Sequence, residues 1–154
     1  MTKARFAALA CIACSAAAIA LAGPFDQFKG KMKEGLYEYK MEMDMGQVPG
    51  MPPGMGKQNM SFQHCVTQQD IERGEMGKRD NKRSEKCEIK NFNMSGNTAT
   101  YTMVCKEPDM TADNRITFAS DGFKMDMKMA MNQRGQMMNM NQHMEGKYLG
   151  PCKK

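Results

Sequence analysis

The chain has no tryptophan, and beyond residue 22 it holds only eight Leu, Ile and Val residues. A conventional aliphatic core is excluded. Also missing are a Gly-x-Ser-x-Gly elbow, a His-Glu-x-x-His pair and a phosphate-cradling glycine loop, the local arrangements that present a nucleophile, zinc or a nucleotide. Past residue 22 there are two histidines, His64 and His143, and no Cys-x-x-Cys pair. These absences point away from an enzyme and away from a structural zinc site. Glu42 and Asp44 share a strand face, but they alternate with Lys40 and read as solvated charges. Excess charge is scarce too. Without residues 1–22 the chain has 20 Lys+Arg against 17 Asp+Glu, a net +3. Its one compact basic run, Lys78 to Arg83, contains Asp80 and no aromatic residue, so no nucleic-acid partner is expected.

What is present begins with an export signal. Lys3 and Arg5 precede an alanine-rich apolar run, Phe6 to Leu21, that ends in the small-x-small site Ala20-Leu21-Ala22. Residues 1–22 are expected to be a cleaved signal peptide, delivering residues 23–154 to the periplasm as a single domain. Secretion or lipidation is the lesser alternative, and no membrane span is expected after cleavage. The sequence leaves the oligomeric state open.

Four cysteines remain, Cys65, Cys87, Cys105 and Cys152, an even number in an exported chain and hence two expected disulfides. Three connectivities are possible. Ser95-Gly96-Asn97 between two extended runs reads as a three-residue hairpin loop, in a register that opposes Cys87 to Cys105, Ile89 to Met103 and Asn91 to Tyr101. That register predicts Cys87–Cys105 and, with it, Cys65–Cys152.

Strict alternation marks Tyr37, Tyr39, Met41, Met43 and Met45 as one face of a strand. The proline- and glycine-rich segment from Gly46 to Gly56 is a loop, and Met60, Phe62 and His64 share a face of the next strand. Thr67 to Asp70 has a capping-box start for a helix of two or three turns, stopped by Gly74 and Gly77. Pro108 to Asn114 reads as a connector. Arg115 to Ser120 is a strand leading into an Asp121-Gly122 turn, with Phe118 opposite Met125 and Ile116 opposite Met127. The Met125–Met131 strand then turns near Arg134-Gly135, so that Met131 faces Met138, Met129 faces Met140 and Met125 faces Met144. Tyr148-Leu149 extend toward the last cysteine. The expected fold is mostly β: an antiparallel hairpin meander of about seven or eight strands, forming a curled sheet, partial barrel or sandwich, with one short helix and two disulfides.

Glu34-Gly35-Leu36-Tyr37-Glu38-Tyr39, the Pro49–Met55 loop, His64-Cys65-Val66-Thr67, Ser95-Gly96-Asn97 and the closing Tyr148-Leu149-Gly150-Pro151-Cys152 together resemble domain-of-unknown-function family 3617. These are small exported proteins of Gram-negative bacteria. The resemblance implies periplasmic residence and brings no activity or catalytic residue. A tryptophan expected near Leu36 is Tyr37 here.

Methionine is the anomaly, with 20 in the chain and 19 beyond residue 22. With so few aliphatics, methionine is expected to be the main packing residue, although its flexibility specifies a core poorly. Two chemical roles follow from its sulfur. Thioethers take up oxidant reversibly as sulfoxides, which makes the chain a candidate oxidant sink served by a periplasmic methionine sulfoxide reductase. Met51, Met55, Met76 and Met110, placed outside the strands, should then react first. No cofactor is needed for that role. Alternatively, thioethers suit Cu(I), and Ag(I) similarly, with Met60, His64, Met129, Met140, Met125 and Met144 as candidate ligands. A third reading is an apolar ligand or protein partner, with methionine used only for packing.

Overall fold

The structure is a computed structural model, and it describes residues 23–46, 56–74, 87–133 and 135–153. The expected signal peptide, Met51, Met55, Met76, Gly77 and the Lys78–Arg83 run lie outside these residues. Seven strands form one unclosed antiparallel sheet: β1 (Gly35–Asp44), β2 (Lys57–Val66), β3 (Cys87–Ser95), β4 (Thr98–Lys106), β5 (Asp109–Ala119), β6 (Gly122–Gln133) and β7 (Gln136–Gly150). Their order is β2-β1-β7-β6-β5-β4-β3. Strands β3 to β7 are a plain meander, whereas the β1–β2 hairpin docks through β1 onto β7. The Tyr148-Leu149 segment continues β7 rather than starting another strand.

Helix α1 (Gln68–Arg73) begins as the residues predict. Thr67 accepts from the Asp70 amide, the Asp70 carboxylate accepts from the Thr67 amide, and Gly74 ends the helix at φ 66. A 3-10 turn at Pro24–Phe28, not anticipated, joins α1 on one end of the sheet. There Phe28 packs edge-on to Phe118, and Phe25 packs edge-on to Tyr101.

Two registers and one element differ from expectation. Gly96-Asn97 is a two-residue turn flanked by the Ser95–Thr98 pair, and a bulge between Lys90 and Asn93, with Asn91 at φ 53, takes up the extra residue. Cys87 therefore still faces Cys105 and Ile89 faces Met103, but Asn91 does not pair with Tyr101. The next turn is Ser120-Asp121, closed by Ala119 and Gly122, so Phe118 faces Phe123 and Ile116 faces Met125. Gly122 serves close approach rather than a turn, since a Cβ on it would collide with the Gly146 carbonyl. Finally, Asp109–Asn114 is strand, not connector. Met110, Ala112 and Asn114 point inward, but the buried Asn114, whose Nδ2 donates to the Ala112 carbonyl at 2.9 Å, hides that alternation from a hydropathy reading.

Cys87 and Cys105 stand at a Cα separation of 4.0 Å, and Cys65 and Cys152 at 5.7 Å; both pairs are disulfide-bonded. Cys65 lies opposite Leu36 on one side of β1, and Gly150 lies opposite Leu36 on the other. The Cys65–Cys152 bridge thus clasps the start of β1 between β2 and β7, and it spans 87 residues of sequence. A loop of that length is worth about 4–5 kcal/mol in the chain-entropy model.

Candidate functional site

The inward face of the sheet is built as successive cross-strand rows, and its chemistry changes from one end to the other. At the helix-covered end the row runs Phe62, Tyr39, Gly146, Phe123, Phe118. The Phe62 and Tyr39 rings stack at 5.0 Å. Burial pushes the Tyr39 phenol pKa up, and its hydroxyl is buried without a partner among the described residues. The next inward row crosses all seven strands as Met60, Met41, Met144, Met125, Ile116, Ala99, Met94. Further along, beyond a row carrying Met43 and Met127, come Met140, Met129, Ala112, Met103, Ile89 and then Met138, Met131, Met110, Cys105, Cys87.

Burial follows the same gradient. The largest fully buried side chains are Tyr37, Tyr39, Phe28, Ile71, Ile116, Val66 and Cys105, with no methionine among them. Met125 and Met144 are 8% and 3% exposed, whereas Met103, Met110, Met127, Met129, Met131, Met138 and Met140 are all only half-buried. Among the described residues methionine is therefore not the main packing residue, although Met32, Met125 and Met144 belong to the core cluster. Aromatic side chains carry the core, and methionine extends its apolar face to a part-exposed margin.

The expected ladder pairs Met131–Met138, Met129–Met140 and Met125–Met144 are all present. Two other candidates sit differently. Met110 is not in a loop: it belongs to β5, faces Met131 and Cys105, and is half-buried. Met60, 43% exposed, faces Met41, while His64 faces Tyr37. Phe62 lies between Met60 and His64, and four residues of extended strand separate them by roughly 13 Å. They cannot share one ion, and His64 is remote from the methionine ladder. The extension of the ladder through Met41 to Met60 was not anticipated, because only the docking of β1 onto β7 creates it.

The opposite face is polar. Asp113, Arg115, Asp126 and Lys128 line a groove of about 580 Å³, and Glu42, Asp44, Lys57 and His143 line a neighbouring one of about 360 Å³. The first groove sets two acids against two bases and does not select a ligand by sign; the second, which Asp126 and Lys128 also line, sets three acids against two lysines and His143. His143 Nδ1 lies 2.7 Å from Asp126 Oδ1, and Nε2 lies 3.5 Å from Glu145 Oε1. The bond to Asp126 raises the His143 pKa above its ordinary value, with Glu145 adding to it. A raised native pKa means protonation favours the fold: this stabilisation is complete below the unfolded-state value of about 6.5 and disappears as pH rises through the native value. The side chains are 40% and 63% exposed, which keeps the effect below about 1 kcal/mol. Asp126→Asn is expected to move the His143 titration down, read by NMR of the ring protons; an unmoved titration would contradict the pairing. Asp44 accepts from the Gly46 amide at 2.9 Å and lies 3.9 Å from the Lys57 ammonium. Among the described residues no three His, Cys, Asp or Glu side chains converge as metal ligands, and no helix is long and apolar enough to cross a membrane.

A family model described as "Protein of unknown function (DUF3617)" matches residues 32–152, from the Met32 segment to the last cysteine. The chain belongs to the DUF3617 family. The match contains all seven strands and both disulfides. No curated protein and no solved structure matches this DUF3617 chain. Family membership thus adds no assigned chemistry.

Proposed function

We propose that this DUF3617 protein is an exported, non-catalytic β module of the periplasm whose marginal methionines form a renewable sink for hypochlorite-type oxidants. The observation that carries the reading is the separation of an aromatic core from a half-buried methionine margin on the same sheet face. In each event a thioether lone pair takes the oxygen of hypochlorous acid, giving a sulfoxide, chloride and a proton. A methionine sulfoxide reductase returns the thioether with two electrons and two protons, releasing water. A sink of this kind must tolerate polar sulfoxides. Half-buried side chains can turn a new S=O toward water, whereas one in a packed core is left unpaired. The basic, apolar leader and the two disulfides support the compartment.

The test is a hypochlorite dose series on the mature, disulfide-bonded protein, with peptide mapping and far-UV circular dichroism at each dose. Met129, Met131, Met138 and Met140 should gain oxygen before Met125 and Met144, with the β spectrum retained, and a sulfoxide reductase should reverse the mass. Loss of the β spectrum with the first oxygens would overturn the reading.

A further inference from the structure

Within the methionine margin, two facing pairs stand in successive inward rows of one hairpin: Met129 opposite Met140, and Met131 opposite Met138. All four side chains are half-buried. We infer that Met129, Met131, Met138 and Met140 form a binding site for one soft monovalent cation, Cu(I) or Ag(I).

The geometry comes from the sheet lattice. Facing Cβ atoms lie about 5 Å apart, and same-face positions along one strand lie about 6.8 Å apart. The centre of the resulting rectangle is therefore about 4 Å from each Cβ. A methionine sulfur lies two bonds beyond Cβ on freely rotating torsions, so the four sulfurs can meet on an ion above that centre without moving the backbone. Thioether ligands are neutral and soft, which suits Cu(I) and excludes Mg(II) or Ca(II), whose sites require oxygen.

The surroundings reinforce that selection. Met129 faces Ala112 and Met131 faces Met110 on β5. Met110 brings a fifth sulfur, and no carboxylate occupies these inward rows. Met125 and Met144 also face each other, but they are 8% and 3% exposed and filled against Met41 and Ile116. Entry there would require the core to open. The half-buried rectangle is reachable from solvent and sheltered once occupied.

The experiment titrates the mature, disulfide-bonded protein with Cu(I) under anaerobic ascorbate against a chromophoric Cu(I) chelator. Native mass spectrometry with Ag(I) gives the stoichiometry without any reductant. The variant is Met129→Leu/Met138→Leu, which removes two diagonal sulfurs at nearly constant apolar volume; Met60→Leu is the control. One ion per chain is expected, with affinity falling about 100-fold or more in the double variant, unchanged in Met60→Leu, and with identical circular dichroism throughout. No competition for Cu(I), wild-type affinity in the double variant, or a loss equal to it in Met60→Leu would each overturn the site. None of these outcomes depends on oxidant uptake, so the sink and the cation site stand or fall separately.

Discussion

Gly146→Val is expected to destabilise the fold by about 3 kcal/mol, near the upper end of the usual cost of overpacking. Gly146 lies on β7 between Tyr39 of β1 and Phe123 of β6. The Phe123 ring covers it, and any Cβ there would run into Cε1 and Cζ of that ring. Phe123 cannot simply swing away, because it packs against Tyr37 at 6.2 Å and Tyr39 at 5.9 Å within the buried cluster. The neighbouring Gly122 faces the Gly146 carbonyl with the same intolerance. Valine has a higher strand propensity than glycine, a gain of at most ~1 kcal/mol, so the steric term decides the sign. For a domain of this size the loss corresponds to a fall in Tm of roughly 10 °C, measured by thermal and urea unfolding. Gly96→Asn is the comparison: its φ of 59 suits asparagine and a Cβ there meets nothing within 4 Å, so its change should stay within about 0.5 kcal/mol. A Gly146→Val protein as stable as Gly96→Asn would show that the aromatic row is not the rigid part of the sheet.

The glycines also explain where the sequence was readable and where it was not. Period-two alternation revealed β1, β6 and β7, and Gly135 at φ 81 marked the turn that sets the Met129–Met140 register. Local chemistry was equally plain at Thr67 and Asp70. Asp121-Gly122 misled, because Gly122 is required by its approach to Gly146 and the turn one residue earlier is held by the Tyr148 amide donating to the Asp121 carbonyl at 2.8 Å. Such a demand comes from a strand some 25 residues away and leaves no local signature. The same is true of β1 lying between β2 and β7. Hairpin arithmetic pairs neighbours in sequence, so it could find Met125–Met144 but not its continuation to Met41 and Met60. Counting apolar residues likewise overstated methionine as core, because ten Phe and Tyr residues after residue 22 bury far more area each than an aliphatic side chain.

That division between core and margin makes its sharpest prediction at single sites. Glutamine is close to methionine in length and carries a polar group near the sulfur's position, so it stands in for a sulfoxide. Met144→Gln is expected to cost about 2–3 kcal/mol, since a side chain 3% exposed and flanked by Met41 and Met125 offers its amide no partner. Met131→Gln should cost less than about 1 kcal/mol, because a half-buried side chain opposite Met138 can rotate its amide into water. Urea unfolding of the two variants measures the difference directly. Equal losses would mean that the margin is packed as tightly as the core, and oxidation there would then unfold the sheet. The expected inequality would place a threshold between the inward rows: oxygen uptake should be harmless at Met129, Met131, Met138 and Met140 and destructive only once it reaches Met144 and Met125.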